Sequence, residues 1–165
     1  MHQNTLKNLK TSIVSRIVDE GEKISIRGLK TKEIIGTDFT IRKLLNTRLD
    51  HERKRYVDKK ITEISPAFTK ALQKLSEDKN SRESVFTLSL DHSENELPNC
   101  LVLYQVLIRK KKAIVLVYSR SLDVKNKLEQ DIELSQYIAR ETMRATNSSF
   151  GYIKFFVGSI HIYID

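Results

Sequence analysis

Between residues 5 and 20 the apolar positions are Leu6, Leu9, Ile13, Val14, Ile17 and Val18. That three-to-four-residue spacing lines one side of a helix, and Gly21 stands where the helix would stop. Residues 24–27 and 31–35 predict two short strands around a turn at Arg27-Gly28, and Gly36-Thr37-Asp38 marks a break after the second. Residues 46–60 are highly charged, with Leu49, Tyr56 and Val57 as their few apolar points, and predict a helix. Pro66 is placed to open a further helix through Leu75, with Phe68, Leu72 and Leu75 on one side. The polar stretch 76–82 predicts a loop, and 84–90 alternates as a strand. Residues 101–108 and 113–118 are apolar runs broken by Arg109-Lys110-Lys111-Lys112, the pattern of two buried strands joined by a basic turn. Ile132, Leu134 or Ser135, Ile138 and Met143 give residues 131–144 a helical face, and 152–164 closes the chain as a strand. This order predicts an α+β fold with a mostly antiparallel or mixed sheet, not an alternating doubly wound one.

The length of 165 residues suits one domain spanning 1–165. With 39% hydrophobic and 30% charged residues the chain reads as globular and not as disordered. A formal charge of +8 points to an anionic partner, a nucleic acid or a small phosphorylated ligand, or else to a solvated basic surface. The basic runs lack interleaved aromatics, so no stacking motif supports the nucleic acid. The single cysteine forms no internal disulfide, the N-terminus has no apolar signal core, and no apolar run approaches the ~20 residues that span a bilayer. A cytoplasmic protein is the expectation.

Three short segments bear chemistry. Cys100 follows Leu97-Pro98-Asn99 and precedes the first buried strand, where it is either a nucleophile facing a pocket or a small buried hydrophobe. Arg120, Ser121 and Asp123 end the second strand; they could cradle a phosphate through the paired donors of the guanidinium, or form an ordinary polar turn. His161 and Tyr163, two apart on a strand, share a face and could donate to a sugar, while a buried, satisfied histidine is the plainer alternative.

In this order the motifs Leu97-Pro98-x-Cys100, Tyr118-x-Arg120-Ser121-x-Asp123-Val124 and Gly158-Ser159-x-His161-x-Tyr163 resemble the thymidylate synthase and deoxycytidylate hydroxymethylase family. Gln105, five residues past the cysteine, matches the family's strand. Upstream, Arg27 with Lys30-Thr31-x-Glu33-Ile34-Ile35-Gly36 is similar to the phosphate-binding arginine and first strand, most closely in the phage hydroxymethylase branch. Glu52 with Tyr56 is similar to the helix of the catalytic glutamate, and Ser81-Arg82 to a serine-arginine pair that reaches the neighbouring subunit's phosphate.

The resemblance implies a thymidylate synthase-like mixed sheet with helices packed on one face, and a homodimer. It implies a transferase in which Cys100 adds to pyrimidine C6 and C5 then attacks methylenetetrahydrofolate, with Glu52 and Asp123 among the catalytic groups. Arg27, Arg120, Ser121 and Arg82 would bind phosphate, Asp131 and Gln105 the base, and His161 and Tyr163 the sugar; no metal is implied. Asp131 stands where thymidylate synthases carry an asparagine that reads uracil. An aspartate suits the N4 amine of cytosine, so dCMP is expected over dUMP; the alternative role for Asp131 is the N-cap of its helix.

The chain also departs from the family pattern. Residues 66–82 correspond to a shortened segment, tryptophan is absent, and Leu101 replaces a histidine. Lys125-Asn126-Lys127-Leu128-Glu129-Gln130 is charged where the family lines its folate site with apolar and glycine residues, and the closing C-terminal tail is expected to be missing. The expected function is therefore a dCMP hydroxymethylase-like transferase, with a non-catalytic nucleotide-binding relative, or a partner subunit of a full-length member, as the alternative.

Overall fold

A computed structural model describes residues 6–26, 28–88 and 100–164. In chain order these form α1 (Leu6–Glu20), β1 (Glu22–Ile26), β2 (Leu29–Ile41), α2 (His51–Glu77), β3 (Val85–Thr87), β4 (Leu101–Arg109), β5 (Lys112–Asp123), α3 (Leu128–Thr146) and β6 (Ser149–Tyr163). The strands make one mixed sheet in the order β1-β2-β6-β5-β4-β3. Only β5 and β6 run parallel, because α3 connects them as a crossover; the other neighbours are antiparallel. The result is the expected α+β arrangement.

One face of the sheet carries the core. Tyr104 and Val106 of β4 lie opposite Val117 and Val115 of β5, which neighbour Phe155 and Ile153 of β6, and all six are buried. Phe155 stacks on Phe39 of β2 with ring centroids 4.7 Å apart. The helices bury Ile17 from α1, Val57, Ile64, Phe68 and Leu75 from α2, and Leu128, Ile132, Leu134 and Ile138 from α3 against the same cluster. At ~25 cal/mol per Å² this shared apolar burial is the main favourable term in holding the layers together.

Several expected boundaries move: β2 runs through the break expected at Gly36-Thr37-Asp38, and the helix expected from residue 46 begins at 51. Pro66 does not open a helix; it lies inside the 27-residue α2. The helix begins at residue 51, where Asp50 caps it by accepting from Arg53 N at 2.9 Å. Pro66 removes one backbone donor from the interior, and the apolar face on either side, from Val57 to Leu75, holds the helix together across the gap. The third helix starts at Leu128 with Lys127 at its N-cap, so Asp131 is an interior residue and not the cap. Its early start reflects Asp123, whose carboxylate accepts from Lys125 N, Asn126 N and Asn126 Nδ2 and folds the intervening turn.

Side-chain alternation changes phase along the central strands. In β5 Ala113, Val115, Val117 and Ser119 alternate as buried residues, with Ile114 also buried at the strand's start, and then Leu122; in β6 the buried residues are Ile153, Phe155 and Val157, then Ile160 and Ile162. The two strands shift together, because the pairing Ser119↔Val157 continues to Ser121↔Ser159 without slipping. The shift falls beside Gly158, where an added Cβ would lie 2.7 Å from the Arg120 carbonyl, and Gly36, which has φ of +66°. Beyond this rank Ser121, Asp123, Ser159, His161 and Tyr163 stand on the face opposite Ile160 and Ile162.

Candidate functional site

Cys100 lies at the start of β4, half-buried. Its carbonyl accepts from Arg120 N at 2.7 Å and from Ser119 Oγ at 3.1 Å, which ties the cysteine backbone to the phase shift of β5. The Ser121 hydroxyl donates to Cys100 Sγ at 3.3 Å. The hydroxyl therefore rests on the one atom of this cysteine that could attack carbon.

Asp131 sits one turn into α3 and is 4% exposed. Burial pushes its carboxyl up to about 7, against which the Lys127 ammonium pulls. It therefore changes charge near neutral pH. Behind it Ser135 donates to the Asp131 carbonyl at 2.7 Å and pairs with the Tyr104 hydroxyl at 3.2 Å, filling the buried space with satisfied polar groups.

From α2 the half-buried Tyr56 faces this region. Burial, followed by the negative neighbours Asp131, Cys100 and Glu63, holds its phenol above the ordinary tyrosine range. Lys127 Nζ lies 4.8 Å and Lys60 Nζ 5.7 Å from the Tyr56 ring centroid. Lys60 is itself buried and pairs with Glu63 at 2.7 Å. Sequence reasoning misses Lys127, Lys60 and Glu63 as members of the site. Tyr56, Lys60 and Glu63 fall at helical spacing within a charged segment, and that polar face is the available signal.

His161 and Tyr163 meet edge to face, with ring centroids 5.5 Å apart and an interplanar angle of 87°. By register His161 stands between Glu33 of β2 and Asp123 of β5. Asp123 spends its carboxylate on the turn before α3. Glu52 is exposed in the first turn of α2, and its carboxylate makes no hydrogen bond or ion pair with another described residue. Arg120 is exposed on the outer sheet face, in a groove of about 500 Å³ that it lines with Tyr118, Phe156 and Gly158. Gln105 lies farther along β4, where its amide donates to the Arg82 carbonyl at 2.9 Å, while Arg82 itself is exposed. Arg27 lies outside the described residues, as do Leu97, Pro98 and Asn99.

The structure thus brings Cys100, Ser121 and the Arg120 backbone together, with Asp131 and Tyr56 on the helix side and His161, Tyr163 and Asp123 on the adjoining strands. It sets Gln105 and Arg82 together at the β3–β4 edge. The turn before α3 exposes Lys125, Asn126 and Lys127. Such side chains offer no apolar surface to the planar ring system of a folate, so they do not fit that cofactor in the way the resemblance implies. Among the described residues no helix is long and apolar enough to cross a membrane, and no three His, Cys, Asp or Glu side chains gather as metal ligands.

No protein-family model matches the chain, and no curated protein sequence matches it. Among solved structures, the chain is similar to thermostable thymidylate synthase A from Bacillus subtilis, with a TM-score of 0.79 and 14% sequence identity over 97% of this chain and 80% of that one. At that identity the likeness establishes a shared fold: a six-stranded mixed sheet flanked by three helices among the described residues.

Proposed function

We propose that this chain binds a pyrimidine nucleoside monophosphate, dCMP in preference to dUMP, and acts on its C5 as a hydroxymethylase-like transferase with Cys100 as the nucleophile. The observation that carries this reading is the Ser121 hydroxyl held on Cys100 Sγ, with Tyr56 of α2 near both that cysteine and the buried carboxyl of Asp131. Thiolate addition to C6 would form the C6–S bond and move the ring's electron pair to C5, which makes an otherwise unreactive carbon nucleophilic. Asp131 would accept the N4 amine of cytosine. His161 and Tyr163 would hold the sugar, and Arg120, with Arg27 and an Arg82 lent by a second copy, the phosphate.

The one-carbon donor implied by the resemblance is methylenetetrahydrofolate. The exposed Lys125–Lys127 turn does not suit it, so the chemistry these residues supply ends at the nucleophilic C5. That same turn, together with the exposed Glu52, favours a second reading: nucleotide binding without turnover, or pairing with a full-length subunit.

A homodimer belongs to the same proposal. Among the described residues the outer face of the sheet has no helix over it. It exposes Tyr118, which stacks on Phe156 at 5.0 Å, and Ile35, 69% exposed. An apolar sheet face of this kind suits a second copy of itself related by a two-fold axis.

Release of tritium from C5-labelled dCMP tests the catalytic reading. Cys100-dependent release that requires methylenetetrahydrofolate supports the transferase, and Cys100-dependent release without it supports addition to C6 alone. Retained label with a dCMP-induced rise in melting temperature supports binding alone, and salt-sensitive binding to DNA without any response to mononucleotides overturns both.

A further inference from the structure

We propose that Tyr56 is a second base-reading residue, donating its phenolic proton to the ring acceptor beside the amine that Asp131 takes. This deepens the dCMP reading and rests on it.

α2 carries Tyr56, Lys60 and Glu63 on one face, and α3 begins with Lys127 and Asp131. Lys127 connects the two helices at this point: its carbonyl accepts Asp131 N at 3.1 Å, while its Nζ lies 4.8 Å from the Tyr56 centroid. The ring is thus held by ammonium groups from both helices, Lys127 and Lys60, and Lys60 is fixed in turn by Glu63. Two cations near the ring orient it without occupying its hydroxyl. Among the described residues neither that hydroxyl nor the Asp131 carboxyl makes a side-chain hydrogen bond, and Asp131 lies near enough to act on the phenol electrostatically. Two neighbouring polar groups are left for a ligand.

Their chemistry is complementary to one edge of cytosine, which offers a donor at N4 and an acceptor at N3. Asp131 alone satisfies both only in its protonated form, and its carboxyl titrates near 7. Tyr56 keeps its proton, since burial and its anionic neighbours all resist ionisation. Acceptor and donor are then supplied by separate groups, and recognition of the N3/N4 edge does not depend on which state Asp131 occupies. A site built this way leaves a buried group unpaired when the edge is wrong, which is how polar pockets discriminate.

Calorimetric titration of the full chain with dCMP and with dUMP tests this in the wild type, Tyr56→Phe and Lys127→Met. Phenylalanine keeps the ring and its cationic neighbours, so melting temperature should stay close to wild type. Tyr56→Phe is expected to weaken dCMP about fivefold, the scale of one net hydrogen bond, and to lower the dCMP:dUMP preference by a similar factor. An unchanged preference in Tyr56→Phe, with dCMP still bound by the wild type, overturns this inference alone. A preference that moves only in Lys127→Met assigns the donor to the ammonium and overturns it as well. A wild type that binds neither nucleotide removes the dCMP reading, and this inference with it.

Discussion

Ser121 and Cys100 are 21 positions apart, yet the hydroxyl of the first donates to the sulfur of the second at 3.3 Å. The contact exists because β4 and β5 pair antiparallel and the Cys100 carbonyl takes Arg120 N–H at 2.7 Å, which sets Ser121 beside the thiol. Replacing Ser121 by alanine removes the hydroxyl that orients and solvates the sulfur. Alkylation of Cys100 by iodoacetamide at neutral pH should slow about fivefold, the scale of one net hydrogen bond. An unchanged rate would show that the hydroxyl does not tune the sulfur.

Asp131 links the site to stability. Its folded value of about 7 lies above the ordinary 3.8. The folded chain holds this proton more tightly than the unfolded one, so the stabilisation is complete below the unfolded value and is lost as pH rises through about 7. Asp131→Asn removes the titration. Between about pH 4 and pH 7 the wild-type melting temperature should fall relative to that of the variant, with the two running parallel above that, as read by thermal denaturation across pH. In the nucleotide assay the same substitution should shift preference from dCMP towards dUMP. Melting curves parallel in the lower window as well would place the titration elsewhere, and a fixed ratio would leave Asp131 without a part in base choice.

Gly158 and Gly151 provide a matched pair of backbone tests on β6. An added Cβ would lie 2.7 Å from the Arg120 carbonyl at Gly158 and 2.7 Å from the Ala113 carbonyl at Gly151. Each alanine variant should lose about 1–3 kcal/mol in urea denaturation, since backbone has to move. Only Gly158→Ala should also alter Cys100 alkylation, because Arg120 is bonded to the cysteine backbone. Equal effects on the thiol would mean that the phase shift does not position it.

The proposed homodimer would use the outer sheet face. Wild-type protein should sediment as a dimer and Tyr118→Glu as a monomer, because burying a carboxylate against a second copy costs several times what one apolar contact contributes. A monomeric wild type would leave the Tyr118–Phe156 stack as a feature of the free surface.

Much of this architecture is legible in the sequence. The 101–108 and 113–118 runs, the basic turn between them and the helical spacing of residues 6–18 each become the element they predict. Pro66 misleads because proline removes one hydrogen bond locally, while the apolar face of α2 continues on both sides of it. Asp131 belongs to a helix, as its spacing predicts, but the cap falls to Lys127, since Asp123 begins folding the chain four residues before it. Gln105 is tied to the base only through its distance from Cys100 in the chain. In the sheet its amide closes on Arg82, a pairing that depends on the β3–β4 register.

The sequence by itself determined the elements, the side of each that faces the core, and which residues carry reactive groups, because these depend on local periodicity and side-chain chemistry. Tertiary structure alone decided which of those groups meet. Tyr56 approaches Asp131 because α2 packs on α3, and Ser121 reaches Cys100 because β5 pairs with β4. Both depend on long-range packing and strand register, which bring distant residues within angstroms and leave no trace in local spacing.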